Sequence, residues 1–172
     1  MPEWIIGVAG LAVLFGVGYL WQKATSAMGK KANQAVFARR GHREGQELVT
    51  QRMEFTVHAS LADVKRAILS TVKVAPNIPA VIQDAHLIRA GDDHILYGFG
   101  NKLIPHNFRG MLALESTGDV VKGSWEIINW TLADGIVVGQ PVMKRLAADI
   151  NTALWSIDPN ARLRDSTTGR AA

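Results

Sequence analysis

The hydrophobic pattern of the chain changes character twice. Its first stretch, WIIGVAGLAVLFGVGYLW from Trp4 to Trp21, is an apolar run with no periodicity, and between Pro2 and Gln22 only Glu3 is charged. At ~1.5 Å per residue such a run makes about 28 Å of helix, close to a hydrocarbon core of ~30 Å. Nine of its residues are Ile, Leu, Val or Phe, each favouring insertion by roughly 0.3–0.6 kcal/mol. Trp4, Tyr19 and Trp21 lie near its ends, where amphipathic rings favour the headgroup level. Residues 1–22 are therefore predicted to form a single transmembrane anchor. A polar segment, 23–50, follows. Ala24, Met28, Ala32 and Val36 make a narrow four-residue stripe in it, and Gly41 and Gly45 flank a charged break expected to end that helix.

From Gln51 the pattern turns to alternation. Met53, Phe55 and Val57, separated by Glu54 and Thr56, predict a half-buried strand. Ser60 with Asp63 three residues on predicts a capping-box-like helix start, and Leu61, Val64, Ile68 and Val72 form its stripe. Pro76 and Pro79 end that helix, and residues 78–81 suggest a short second helical turn. Strands are expected at 83–90 and 94–100 around the turn Gly91-Asp92-Asp93, and at 108–115 and 121–131 around Ser116-Thr117-Gly118-Asp119. Residues 140–157 form a helix, with Pro141 near its first turn and Met143, Leu146, Ile150, Leu154 and Ile157 as its stripe. Asp158-Pro159-Asn160 stops it, leaving a polar tail, 159–172, read as disordered. The fold class is α+β: an antiparallel sheet with one apolar face, covered by the long C-terminal helix, over residues 51–158.

Charge fixes the expected orientation. Lys23, Lys30, Lys31, Arg39, Arg40 and Arg43 lie between Gln22 and Glu44 with no acidic residue among them. Removing these six and Glu3 from the total of +4 leaves about −1 for the rest. The basic character thus belongs to the linker, which argues against nucleic acid as a partner, since a nucleic-acid-binding domain carries its charge on the fold. Cations on the C-terminal flank alone place that side in the cytoplasm and the N-terminus outside. The same six residues are candidates for contact with anionic lipid at the membrane surface. A cleaved signal peptide would need a basic n-region, which this chain lacks. Ala12 and Gly16 have the small-xxx-small spacing through which two spans can form a homodimer. With no cysteine in the chain, disulfides, thiolate catalysis and cysteine-held metals are excluded.

The run MEFTVHASLADVKRAILSTVKVAPNIPAV, with GSWEIINWTLADG followed by an amphipathic helix, resembles the START/polyketide-cyclase-like superfamily, also called helix-grip or birch-pollen-allergen-like. The resemblance lies in the pattern and order of elements over about residues 51–158. It departs in strand number, five where the family usually has seven, which implies a trimmed version. What the resemblance implies is a cavity between the sheet and the C-terminal helix that binds a lipid or another apolar small molecule. Tyr97, Phe99, Phe108, Leu112, Trp125 and Ile127 would line it, facing Met143, Leu146 and Ile150. The same residues would equally make a filled core, because pocket linings and cores share composition.

Signs of catalysis are absent from the sequence. His42, His58, His86, His94 and His106 form no HxH, HxxxH or HExxH pattern. Neither a nucleophile elbow nor a phosphate-cradling or dinucleotide fingerprint occurs, and no cofactor or metal is implied. Arg109 is expected on the solvent face, out of phase with Phe108, and Trp130 is out of phase with Trp125. The expectation is a non-enzymatic, membrane-tethered domain binding an apolar molecule at the cytoplasmic face. The alternatives are a membrane-anchored interaction or scaffold domain with a filled core, and a cyclase- or aromatase-like enzyme. The full-length chain is expected to remain in the membrane pellet after carbonate washing with its first methionine intact; its recovery in the aqueous fraction would remove the anchor.

Overall fold

Helical caps and strand turns fall where the local chemistry demands them in the computed structural model, which describes residues 41–167. The run Trp4–Trp21, the Ala12/Gly16 pair, the stripe from Ala24 to Val36 and the basic residues from Lys23 to Arg40 lie outside the described residues. A first helix, α1 (residues 41–50), leads into β1 (Gln51–Val57), α2 (Leu61–Thr71), β2 (Asp84–Ala90) and β3 (His94–Gly100). Then come β4 (Phe108–Thr117), β5 (Val120–Trp130), the short β6 (Leu132–Ala133) and β7 (Ile136–Val137), α3 (Gln140–Ile157) and β8 (Arg162–Thr167). No helix among the described residues is long and apolar enough to cross a membrane.

The fold is α+β: a six-stranded antiparallel sheet, ordered β2-β3-β4-β5-β1-β8, with the long C-terminal helix α3 packed on it. The α2 start works as a reciprocal cap. Asp63 N–H donates to Ser60 Oγ at 3.2 Å, and the Ser60 hydroxyl donates back to Asp63 Oδ2 at 2.6 Å. Val64 and Ile68 are its buried positions, and α2 packs beside α3. The registers Met53↔Trp125↔Leu112 and Phe55↔Gly123↔Leu114 place the inward positions of three strands in two rows. Ile95, Tyr97 and Phe99 extend the same inner face along β3. One close approach requires glycine: a Cβ on Gly110 would collide with the Trp125 indole. Gly139, at φ 86°, begins α3 in the left-handed region, and a Cβ there would stand 2.8 Å from Phe99.

Four segments depart from the sequence expectation. Residues 41–50 are helical throughout, so Gly41 and Gly45 do not break the segment. Residues 78–81 form no helical turn. Instead the stretch before them runs along the sheet edge, where Ala75 N–H donates to Ala85 O at 3.0 Å and Leu87 N–H to Ala75 O at 2.9 Å. The sheet has a sixth strand, because residues 162–167 pair with β1 instead of trailing as a tail. Finally Trp130, expected out of phase with Trp125, packs against the core alongside it. The bulge between β4 and β5, where Gly110 pairs with Ile127 but Arg109 with Asn129, shifts the alternation by one residue.

The chain reaches β8 through Asp158. Its Oδ2 accepts His58 N–H and its Oδ1 accepts Asn160 N–H, both at 2.9 Å, and its backbone N–H closes α3 onto Leu154 O. The two backbone hydrogen bonds, His58's first, hold this carboxyl below the usual aspartate range. A depressed pKa contributes stability above the unfolded-state value, and that contribution disappears as pH falls through the folded value. The melting-temperature gap between the wild type and Asp158→Asn should therefore be full at neutral pH and close below about pH 3.8. A gap of constant size across that range would assign the carboxylate's charge no part in the turn.

Candidate functional site

The sheet has two faces of different chemistry, and the nine expected pocket residues lie together on one of them or on the helix opposite. Tyr97, Phe108, Leu112, Leu146 and Ile150 have 0% of their surface accessible. Met143, Ile127, Trp125 and Phe99 are buried as well. A side chain without accessible surface touches no space that admits a water molecule, whether outside the fold or enclosed within it. Phe99 stacks on Phe108 at 5.4 Å between centroids, and Tyr97 meets Trp125 edge-on at 6.0 Å. These nine side chains belong to one continuous apolar cluster that also includes Val49, Phe55 and Ile68.

One polar atom sits among them. Tyr97 Oη is buried with no hydrogen-bond partner. Burial, with the Asp149 carboxylate adding to it, pushes this phenol well above its ordinary range, so it stays protonated. A neutral hydroxyl placed this way offers one donor to anything that enters the core.

The opposite face carries charge. Arg52, Glu54, Thr56, Lys122, Arg162 and Arg164 are among the residues lining an open depression of about 520 Å³. Arg52 is oriented by donating from Nη2 to Ser124 Oγ at 3.0 Å, and its Nε lies 3.7 Å from Glu54. Asp93 and Glu115 complete the acidic part of the lining, so cations exceed anions by one. None of these residues stands out in the sequence, because two of the four cations, Arg162 and Arg164, reach the site only through β8. The available signal was faint: Leu163 between Arg162 and Arg164 is one period of a strand alternation.

Further along this face, towards the free end of β3, His86, His106 and Arg109 gather. The two imidazoles are 6.4 Å apart, His86 is 3% exposed, and both His106 Nδ1 and Arg109 Nε are buried without a partner. Desolvation, followed by the neighbouring Arg109 and His86, lowers the His106 pKa below its ordinary value. Arg109 does lie on the outer face, as its phase predicts, across from Gly98 and Asn129. The remaining described histidines are scattered. His94 Nδ1 bonds Asp93 Oδ1 at 2.6 Å in an exposed turn, and His58 is engaged through its backbone at Asp158. Among the described residues no group of three or more His, Asp or Glu side chains is arranged to hold a metal. Arg43, the one described member of the basic series, pairs with Glu47 at 3.8 Å on the exposed side of α1.

No family model and no curated protein sequence matches the chain. Two solved structures are similar in outline. A conserved protein from Geobacillus kaustophilus aligns over 66% of this chain and 99% of its own, at 9% identity and a TM-score of 0.38. An uncharacterised protein from Bacillus thuringiensis aligns over 60% of this chain and 93% of its own, at 14% identity and a TM-score of 0.33.

If the inner face is a filled core, the Tyr97 hydroxyl contributes nothing and costs its desolvation. Tyr97→Phe should then leave stability unchanged or raise it by about 0–1 kcal/mol, measured by denaturant unfolding of the full chain in detergent. A loss of more than ~1 kcal/mol would show that the hydroxyl has a partner in solution.

Proposed function

We propose that this protein is a membrane-anchored, non-enzymatic interaction domain, held at the cytoplasmic face, that presents the polar face of its sheet to a protein partner. The observation carrying this reading is the contrast between the two faces. The side chains that would line an apolar ligand site are packed against one another, whereas the solvent-facing side holds an open, charged depression. Its slight cationic excess suits an acidic polypeptide segment. The edge strand β8 adds main-chain groups beside Arg162 and Arg164, the arrangement through which extended peptides add to a sheet. Anchoring by Trp4–Trp21 would keep this face at high effective concentration near membrane-bound partners.

The order of strands and helices supports a helix-grip-like reading of the fold, and with it a second function, the binding of a lipid or other apolar molecule beneath α3. One observation favours it, the unpartnered Tyr97 hydroxyl inside the core. Entry of such a ligand would require α3 to move off the sheet.

The double variant Arg162→Glu/Arg164→Glu separates the two. Both side chains are exposed on the sheet edge, so its melting temperature should match the wild type. Co-purification of a stoichiometric partner from native membranes should fall by at least roughly tenfold, as expected when a few charged contacts of 1–2 kcal/mol are reversed. Undiminished co-purification, or an apolar species retained stoichiometrically in native mass spectrometry, would favour the ligand-binding reading.

A further inference from the structure

At one end of the sheet two loops carry the most exposed large apolar side chains of the described chain. Val81 and Ile82, just before β2, are 75% and 79% exposed, and Leu103, just after β3, is 84% exposed. Ile104 and, on the neighbouring β6–β7 hairpin, Leu132 are also exposed. Such a concentration of apolar surface marks a contact site. The register Asp84↔Gly100 and Phe99↔Phe108↔Trp130 brings these loops to the same pole.

Part of the backbone beneath these side chains is already hydrogen-bonded within the fold. Asn101 Oδ1 accepts the N–H groups of Leu103 and Ile104 at 3.0 and 2.8 Å, and its Nδ2 donates to Val81 O at 2.5 Å. Lys102 N–H donates to Pro79 O at 2.9 Å, and Asn107 Nδ2 donates to Gln83 Oε1 at 2.9 Å. The two loops are thus tied into one platform that holds its apolar side chains outward. Its own hydrogen bonds supply part of what water otherwise would, which lowers the cost of bringing this surface into a low-dielectric phase.

The chain enters the fold at this same pole. Gly41 O accepts Gln140 Nε2 at 2.9 Å, and Glu44 meets Lys144 at 3.1 Å, both partners lying in the first turns of α3. The start of α3 is itself fixed to this end, since Gly139 abuts Phe99 and Phe108. Nineteen residues, 22–40, separate Trp21 from Gly41, a tether of at most about 65 Å at ~3.4 Å per residue. Lys102 is the exposed cation on the platform, and Asp84 beside it is engaged by Arg145 at 3.5 Å. The basic series of the tether and this lysine share a sign suited to anionic headgroups.

We propose that the platform formed by Val81, Ile82, Leu103 and Ile104 inserts into the interfacial layer of the bilayer, giving the domain a second membrane contact and a fixed orientation. This inference rests on the reading of Trp4–Trp21 as a membrane anchor. Tethering makes even a weak insertion effective, because it keeps the loops at high local concentration near the lipid surface. Docked this way, the outer sheet face would stand beside the membrane with its partner-binding depression accessible.

The absence of cysteine from the sequence permits a direct test. Full-length Leu103→Cys and, as a control at the opposite pole, Asp119→Cys are labelled with an environment-sensitive nitrobenzoxadiazole dye. Each is reconstituted in vesicles of phosphatidylcholine and phosphatidylglycerol. The label at 103 should emit at shorter wavelength and be quenched by spin-labelled lipid roughly threefold more than the label at 119, the response of a group buried in the headgroup–acyl boundary. Equal quenching of both positions by aqueous iodide, with no effect of spin-labelled lipid at 103, would overturn the proposal. So would a label that is aqueous in vesicles yet shielded in native membranes, which would assign the platform to a protein. Carbonate washing of the same vesicles tests the anchor separately: retained protein with an aqueous label at 103 rejects the platform alone, and released protein rejects the anchor. Val81→Cys repeats the measurement on the second loop.

Discussion

The burial of one helix against one face of a sheet organises everything else in this domain. Met143, Leu146, Ile150 and Leu154 of α3 meet the inward rows of β3, β4, β5 and β1, and both sides lose contact with water together. Neither partner can exist alone, since a helix stripe or a sheet face of this size exposed to solvent forfeits roughly 1.5–3 kcal/mol per large side chain. The demand for close fit explains the bare backbone at Gly110, where Trp125 occupies the space of a side chain. It also explains why Gly139 begins α3: the left-handed turn brings the helix down directly over the Phe99–Phe108 pair.

A core closed on the inside moves the available chemistry outward. The outer sheet face receives every second residue of the strands, and these include Arg52, Glu54 and Lys122 together with Arg162 and Arg164 of β8. Their contribution to stability is small, as is usual for solvated ion pairs. The loop pole divides differently. Asn101 and Asn107 absorb the polar demands of the loop backbone, and the apolar side chains that remain outside have no partner within the described fold. Inner face, outer face and pole therefore offer three surfaces of different polarity, each set by where the core leaves room.

Strong periodicity made much of this legible before any coordinates. The Ser60 cap, the α2 and α3 stripes, the four strands from 83 to 131 and both hairpin turns followed from alternation, 3.6-residue spacing and turn residues. What escaped had a weak or displaced signal. Strand β8 carries Leu163 as its one large apolar residue, so its pairing comes from main-chain bonds to β1 and from the Asp158 turn that aims it there. The bulge before Gly110 reversed the phase of Trp130, and a bulge leaves no mark in an alternation read one strand at a time. Residues 41–50 read as a broken segment because glycine disfavours isolated helix. Burial of Val49 against the core outweighs that preference here.

By itself the sequence determined the α+β class, the identity of the core residues and the expectation of an N-terminal apolar span, since each rests on the local spacing of apolar side chains. Whether those core residues enclose a space or fill it depends on distances between elements far apart in the chain, which only the packing of α3 on the sheet sets. The charged depression and the apolar pole are likewise tertiary. Arg52 and Arg164, or Val81 and Leu103, become neighbours through strand order and loop hydrogen bonds, and no local pattern records either.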